Sequence, residues 1–318
     1  MKKLISIILA IISVFAFVGC NPETPHTDPT YPAPWSTDTV NAHLAYEKCT
    51  YAIEKTNKAT GDIVATGEVV YELAPAGADG ETPLSRLKMT MSITFTDKAV
   101  EGDRGKTDTI SSEARFSAKS LTPFSSKRTV TLEDRDGIDN FGYTLNNDYV
   151  AGTSTISYHD GKTADHTLNF KGANLVGVMD NEVMFYYVRA YPAITNGTYG
   201  YFRLADFYDM HPTNAFSPVQ MSFNCNAEGE DESIIFNGLG GFLEDNSVTT
   251  LRAAVGKNVD LSGPAIQLYM SKTPFTISEG VTTKNVIVRI RTVEYNIAQA
   301  TIQYQTDYTL CGYTTTQA

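Results

Sequence analysis

The stretch that decides the fold reads LKMTMSITF and runs from Leu87 to Phe95. Apolar residues occupy every second position, and lysine, threonine or serine stands between them. Successive side chains of a β-strand point to opposite faces of its sheet, so a period of two indicates one buried face and one solvated face. We therefore predict a strand here, in a sheet with a dry side and a wet side.

The same period recurs near both ends of the chain, in residues 49–54 and 300–308. Turn-forming pairs separate such stretches, among them Thr60-Gly61-Asp62, Asn146-Asn147 and Asp160-Gly161. Residues 74–83 are rich in Ala, Gly and Pro and are interpreted as a loop. At hairpin-like spacing, the pattern predicts about a dozen strands.

One segment departs from the period of two. Asp180-Asn181-Glu182 offers helix-capping side chains and early negative charge. Apolar residues then follow at helical spacing, and Pro192 ends the run; they are Met184, Tyr187, Val188 and Tyr191. This pattern predicts a short amphipathic helix over 181–190, with a strand as the alternative because Tyr and Val favour β structure.

The fold class that follows is mainly β, as a large curved antiparallel sheet or a half-open β-barrel with one short central helix. Residues 37–175 and 192–313 are interpreted as two halves of one sheet system, because no clear sequence repeat separates them. A transmembrane barrel is disfavoured, since the alternating faces carry Met, Ala, Thr and Cys instead of a continuous aliphatic band.

The N-terminus has the pattern of a lipoprotein signal. Lys2 and Lys3 precede an uncharged run, Leu4–Val18, that is short for a bilayer span of ~20 residues. The run ends in Gly19-Cys20, which resembles the lipobox of bacterial lipoproteins. We predict cleavage after residue 19 and lipidation of Cys20. An ordinary signal peptide with an incidental cysteine is the alternative.

This interpretation divides the chain into three parts. Residues 1–19 are the signal peptide, 20–36 a lipidated cysteine with a Pro-rich tether, and 37–318 a β-rich extracytoplasmic domain. The expected location is the cell membrane or the outer membrane, with the lipid at Cys20 as the contact with the bilayer.

Charge and cysteine content narrow the functional classes. The formal net charge is −11, and blocks of basic residues are absent, so nucleic acid is not an expected partner. Cys49, Cys225 and Cys311 follow Cys20 and allow at most one disulfide. A bridge between Cys49 and Cys311 would join the two ends of the domain, and scattered free thiols are the alternative.

Motifs for catalysis or cofactors are weak. No Gly-x-Ser-x-Gly, His-Glu-x-x-His or Cys-x-x-Cys pattern occurs, and no cofactor is expected. The acidic turn 133–140 and the group of His159, Asp165 and His166 have oxygen or nitrogen donors for a metal. A solvated acidic turn and surface histidines are the more common interpretations, so no metal site is assigned.

Two segments resemble a known group of proteins. Residues 180–190, DNEVMFYYVRA, resemble the central helix of uncharacterised secreted bacterial lipoproteins. Residues 268–274, LYMSKTP, and 286–290, VIVRI, are similar to a late hairpin of the same group. These proteins resemble the lipoprotein-carrier superfamily, and the resemblance implies a half-open β-barrel that wraps around a helix and holds acyl chains. It implies no catalytic residue.

The leading functional hypothesis is non-enzymatic binding of a lipid or another hydrophobic ligand in a groove of the sheet. It follows from apolar strand faces that exceed what one short helix covers. The candidate lining residues are Met89, Met91, Phe95, Met184 and Tyr187. A cell-surface structural or carbohydrate-binding module is the alternative, and a hydrolase that uses acidic residues ranks last.

The lipid anchor is directly testable. Replacing Cys20 by Ala removes the thiol that would receive diacylglycerol, so labelled palmitate should no longer be incorporated. Metabolic labelling followed by immunoprecipitation measures this. The variant Cys49→Ala serves as a control and should be labelled as the wild type is. Labelling of the Cys20→Ala protein would contradict the assignment.

Overall fold

The computed structural model describes residues 44–118, 120–133, 142–175, 177–190, 199–205, 207, 216, 218–225, 233–235, 239, 242–243, 247–256, 266–279, 281–283, 285–296 and 301–317. The predicted signal peptide, Cys20 and the tether lie outside these residues. Eighteen strands occur among them. Their bounds are β1 Leu44–Asn57, β2 Ile63–Asp79, β3 Thr82–Phe95, β4 Thr107–Ser117, β5 Pro123–Leu132, β6 Tyr143–Asp148, β7 Thr153–Tyr158, β8 His166–Asn169, β9 Val178–Asp180, β10 Tyr199–Ala205, β11 Val219–Cys225, β12 Ser233–Ile235, β13 Ser247–Gly256, β14 Ile266–Ser271, β15 Phe275–Ser278, β16 Val281–Thr283, β17 Ile287–Asn296 and β18 Thr301–Gln317.

Fifteen of these strands lie side by side in one sheet, in the order β8-β7-β6-β5-β4-β3-β2-β1-β18-β17-β14-β13-β11-β10-β9. The first eight strands form a continuous antiparallel meander, and β1 joins this half to the second through its antiparallel pairing with β18. Only β9 and β10 pair in parallel within the described part. β12 pairs with β13 off this path, and β15 and β16 form a separate hairpin.

The alternation predicted for Leu87–Phe95 is present in β3. Its apolar residues are buried and the residues between them are exposed. Neighbouring strands place their apolar positions on the same side, because Val69 on β2 and Ile110 on β4 both lie opposite Met91. The predicted fold class, a large curved antiparallel sheet with one short helix, is confirmed.

Close approach of two strands explains a glycine in the middle of β2. Gly67 pairs with Ile93 of β3, and a Cβ atom at Gly67 would lie 2.1 Å from the carbonyl oxygen of Ser92. A side chain at this position would push the strands apart. Register shifts in β1–β18 and β17–β18 add local bends, and bulges of this kind increase the twist of a sheet.

The two end strands of the sheet approach each other through side chains. Within the described residues, β8 and β9 form no hydrogen-bonded pair with each other. Residues in and near these two strands nevertheless pack together in one apolar cluster, here called the seam. The buried members of the seam are Tyr149, Leu168, Phe170, Val178, Ala205 and Phe207. The sheet is therefore barrel-like, and on this side packed apolar and aromatic side chains connect its two end strands in place of backbone hydrogen bonds.

The helix predicted over 181–190 is present, with a change of type inside it. Residues Asn181–Val183 form a 3-10 turn, and Met184–Ala190 form the only α-helix of the described residues, α1. The side chain of Asp180 accepts a hydrogen bond from the backbone N–H of Glu182 at 2.8 Å, as its capping role predicts.

The predicted amphipathic character of this helix is wrong. Phe185, Tyr186 and Arg189, which lie outside the predicted apolar stripe, are only 9%, 7% and 3% exposed. None of the helix side chains that the structure describes, Met184 to Arg189, is exposed, because residues of the sheet pack against the helical segment on more than one side. Tyr191, the last residue of the predicted apolar stripe, lies outside the described residues.

Two predicted non-strand segments belong to strands. The composition of residues 74–83 predicts a loop, but β2 continues to Asp79 and β3 begins at Thr82. A register shift between Pro75 and Ala78 accommodates the proline and glycine of this segment. The pair Asn146-Asn147 predicts a turn but lies inside β6. Its buried amide is satisfied there, since Asn147 Nδ2 donates to Ser126 Oγ at 2.9 Å.

The cysteines remain unbridged. Cys49, Cys225 and Cys311 are all free thiols, of which the first two are buried and the third is exposed. The Cys49–Cys311 bridge considered above is absent because the two residues project to opposite sides of the sheet. Among the described residues, no helix has both the length and the apolar character needed to cross a membrane.

A buried carboxyl group connects the seam to the helix. The Tyr149 hydroxyl donates to Asp180 Oδ2 at 2.5 Å, and Asp180 is 2% exposed. Burial and the nearby Glu182 carboxylate raise the pKa of Asp180 from 3.8 to about 6. The hydrogen bond from Tyr149 opposes this increase.

This raised pKa predicts a pH dependence of folding. Between pH 4 and 6 the folded state binds more protons at Asp180 than the unfolded state, so the contribution of Asp180 to stability falls as the pH rises through this window and is constant above it. At about 1.4 kcal/mol per pKa unit, the full effect is about 3 kcal/mol. Asp180→Asn, which keeps the cap, should remove this decline in denaturant unfolding measured across the window. Identical pH profiles for the two proteins would contradict the prediction.

Candidate functional site

A cavity of about 40 Å³ lies between the helix and the concave face of β1, β2, β3 and β17. We call it the helix cavity. Most of its wall is apolar or aromatic, and this part consists of Tyr51, Tyr71, Leu73, Leu87, Phe185, Tyr186, Ile287 and Ile290. Its polar lining residues are Glu47, Cys49, Glu182 and Arg189. A water molecule needs about 10–15 Å³, so the helix cavity, which is partly open, holds a few waters or a small group of atoms.

The polar part of the wall centres on a buried ion pair. Glu47 on β1 and Arg189 near the end of the helix are each 3% exposed. Arg189 Nη1 donates to one carboxylate oxygen of Glu47, and Nη2 donates to the other at 2.8 Å. This two-point geometry fixes both the distance and the plane of the pair.

Other groups complete the surroundings of this pair. The Tyr313 hydroxyl donates to Glu47 Oε1 at 2.5 Å, and Arg189 Nη2 also donates to Thr283 Oγ1 at 3.1 Å. The Asn285 side chain donates to the backbone carbonyl of Arg189 at 3.3 Å and so satisfies a group at the helix end. The pair is held from β1, β16 and β18 together.

A second ion pair holds the beginning of the helical segment. Arg128 on β5 donates through Nη1 to Glu182 Oε1 at 2.6 Å, and the Ser112 hydroxyl donates to Glu182 Oε2 at 2.7 Å. The acidic member of this pair is on the helical segment and the basic member on the sheet. At the other end the polarity is reversed, as the helix dipole favours.

The titration behaviour of the lining residues argues against a nucleophile here. Burial and the Glu47 carboxylate raise the pKa of the Cys49 thiol far above its ordinary value. Burial likewise raises the pKa of Tyr51 and Tyr71. Burial alone would lower the pKa of Arg189, but the Glu47 charge and the hydrogen bonds to Glu47 outweigh this effect and hold the pKa well above its ordinary value. These groups keep their neutral or paired forms at neutral pH and are suited to binding.

None of the five residues predicted from the sequence lines the helix cavity. Met89, Met91 and Phe95 point to the interior from β3 but are packed in the main core at 3–4% exposure. Met184 is also core, and the ring of Tyr187 lies 5.2 Å from that of Phe202. Ligand contact by these five stays a prediction that the packing does not test.

Glu47 and Arg189 are functional candidates that the strand and helix patterns do not predict, although each carries a signal in the sequence. Arg189 is the only charged residue in the apolar run from Met184 to Ala190. Glu47 occupies an inward-facing position of β1, as Cys49 and Tyr51 do. A charge at an inward position needs a partner, but the strand period does not identify which one.

The candidate metal groups do not assemble in the described residues. His159 Nε2 lies 2.9 Å from Thr144 Oγ1, and Asp165 Oδ1 accepts from the backbone N–H of Tyr158 at 3.1 Å. No set of three or more His, Cys, Asp or Glu with metal-binding geometry occurs in the described part of the chain. Of the acidic turn 133–140, all but Glu133 lies outside it.

Comparison with known proteins gives a likeness of fold only. No protein-family model and no curated protein sequence matches the chain. Among solved structures it is similar to a β-barrel-like protein of a domain of unknown function, DUF1849, from Brucella abortus, at 11% sequence identity and a TM-score of 0.49. The alignment covers 86% of this chain and 98% of that one.

The buried pair predicts a large asymmetry between two Arg→Leu substitutions. Arg189→Leu would leave the Glu47 charge buried without its partner, and such a change costs about 3–5 kcal/mol of the free energy of unfolding. The matched control is Arg115→Leu, because Arg115 and its partner Glu113 are 53% and 35% exposed. An exposed pair is worth about 0–1 kcal/mol. Denaturant unfolding measures both losses, and equal losses would contradict the role assigned to Arg189.

Proposed function

We propose that this chain is a lipid-anchored extracytoplasmic protein that binds a small hydrophobic ligand, or the end group of a larger one, in the helix cavity without catalysis. The observation that carries the proposal is an apolar space bounded by a buried ion pair. Apolar walls supply affinity, and a few fixed polar groups supply orientation, which is the usual design of a ligand pocket.

The size of the cavity limits the ligand. The core side chains and the helix fill most of the concave side, and about 40 Å³ of free space remains in the helix cavity. This space is too small to enclose a whole acyl chain, so the groove expected from the sequence is reduced to a pocket for a short group. A longer ligand would have to extend from the cavity towards solvent.

The aromatic wall is preorganised, which favours binding. The Tyr51 hydroxyl donates to the backbone carbonyl of Ile287 at 2.8 Å. The rings of Tyr51 and Tyr71 meet edge to face, with centroids 6.0 Å apart. Because these side chains are already ordered, a ligand that enters does not have to bear the entropy loss of fixing them.

The proposed anchor and the proposed family agree with this role. Lipidation at Cys20 and the tether 20–36 would hold the pocket near a membrane surface, where hydrophobic ligands are concentrated. Relationship to the lipoprotein-carrier superfamily, suggested by residues 180–190 and the late hairpin, is part of the proposal. Strands β14 and β17, which contain that hairpin, pair with Leu268 opposite Ile290.

A cavity-filling substitution tests the proposal. Leu87 lines the helix cavity, and Leu87→Phe should occupy the space and abolish binding of n-hexanol, the probe. The loss of stability should be small, because the larger ring enters empty volume. Binding is measured by ligand-observed NMR on the full chain kept soluble in amphipol.

The matched control is Leu168→Phe. Both leucines are 6% exposed, but Leu168 packs in the seam. Overpacking there should lower the free energy of unfolding by about 1–3 kcal/mol and leave n-hexanol binding intact. If the wild type and Leu87→Phe bind n-hexanol equally, the helix cavity is not a ligand site.

A further inference from the structure

Two tyrosines in the wall of the helix cavity differ in how the protein uses their hydroxyl groups. Their rings meet edge to face, and both residues line the cavity. The Tyr51 hydroxyl donates to the backbone carbonyl of Ile287 at 2.8 Å. The Tyr71 hydroxyl makes no hydrogen bond with any residue that the structure describes. Hydroxyl groups inside proteins usually have a partner, so Tyr71 has hydrogen-bonding capacity left for a bound molecule.

The accessible part of Tyr71 faces the helix cavity. On β2 it is paired with Cys49 of β1 and with Met89 of β3, and its side chain packs against the core on the concave side. Cys49 and Met89 are buried, at 5% and 3% exposure, whereas Tyr71 is half-buried. The Tyr71 hydroxyl is also not fully enclosed, in contrast to Arg189 Nε. It is therefore open to the space beside the helix.

The surroundings of this hydroxyl keep it protonated. Burial and the nearby Glu182 carboxylate raise the pKa of Tyr71 well above its ordinary value. Glu182 also lines the cavity, and its two oxygens accept hydrogen bonds from Arg128 Nη1 and from the Ser112 hydroxyl. The Tyr71 hydroxyl is thus a neutral donor beside a carboxylate that already has its partners.

The charges in the wall restrict which acceptor fits. Glu47 and Glu182 both line the cavity, and Arg189, the cation among the lining residues, is paired with Glu47. An anionic ligand would therefore meet two carboxylates and no cation without a counter-charge. A neutral oxygen atom can accept from a hydroxyl group and brings no net charge that would have to be desolvated. The apolar part of the same molecule can then contact Leu73 and Leu87.

From this arrangement we infer that Tyr71 is the polar anchor of the helix cavity. Its ligand is a neutral alcohol or carbonyl compound with a short apolar chain, and the oxygen of that compound accepts a hydrogen bond from the Tyr71 hydroxyl. This inference rests on the proposed function, and it specifies the residue that orients the ligand and the chemical class that the site selects.

Three six-carbon probes test the inference on the full chain in amphipol. They are n-hexanol as the neutral acceptor, n-hexane as the molecule without oxygen and hexanoate at pH 7 as the anion. Ligand-observed NMR titration gives each affinity, and the signal in Leu87→Phe is subtracted to remove partitioning into the amphipol. Hexanoate should bind at least about tenfold more weakly than n-hexanol.

The substitution Tyr71→Phe removes only the hydroxyl group. It should weaken n-hexanol binding about five- to tenfold, as expected for one neutral hydrogen bond, and leave n-hexane binding unchanged. The matched control is Tyr158→Phe, because Tyr158 on β7 is also half-buried but does not line the cavity. This control should bind n-hexanol as the wild type does.

Unfolding of the ligand-free proteins gives a second readout, which separates an anchor from a structural hydroxyl. Tyr51→Phe should lower the denaturant midpoint, because the Ile287 carbonyl loses its donor. Tyr71→Phe should leave the midpoint unchanged or raise it, because it removes a hydroxyl that the folded chain does not use. A midpoint lowered as far as in Tyr51→Phe would contradict the role assigned to Tyr71.

The binding outcomes separate the two levels of the argument. If Leu87→Phe abolishes n-hexanol binding but Tyr71→Phe binds it as the wild type does, the inferred anchor is wrong and the proposed function stands. If hexanoate equals or exceeds n-hexanol, the inferred ligand class is wrong. If no probe distinguishes the wild type from Leu87→Phe, the proposed function itself is wrong.

Discussion

Two ion pairs of opposite polarity hold one short helix inside a curved sheet, and the shape of the interior depends on them. A helix of seven residues is too short to be stable alone, so its position comes from tertiary contacts. The sheet supplies Arg128 for Glu182 at one end and Glu47 for Arg189 at the other. Between these two points the helix lies above β1–β3, and the helix cavity is the space that remains.

The concave side of the sheet is therefore not a uniform apolar core. Inward-facing positions carry Ser126, Arg128 and Asn147 on β5 and β6, and Lys55 on β1 pairs with Glu294 on β17 at 2.6 Å. Buried charges are tolerated only when they are paired, and the pairs named here join elements that are distant in sequence. A sheet this wide has more inward positions than one helix can cover, and polar networks occupy part of the surplus.

The sequence predicts the fold well because the strand period is a local property. Alternation in Leu87–Phe95 identifies the buried face without reference to any other strand, and Asp180 identifies a helix start by its own capping geometry. The cavity depends on which inward residues meet a neighbour and which do not. Met89 and Leu87 share a strand face, but only Leu87 lines the gap, because the helix lies over one end of β3. No local pattern contains that information.

A buried ion pair contributes little net stability compared with a well-packed apolar pair, so stability alone does not explain Glu47 and Arg189. Their contribution is to define one position for the helix. A slip of the helix by one turn, about 5.4 Å, would break the two-point contact of Arg189 and the contact of Glu182 at the same time. Apolar side chains would tolerate such a slip, because their packing is less directional. The two pairs thus fix the register of the helix against the sheet, and with it the size and lining of the cavity.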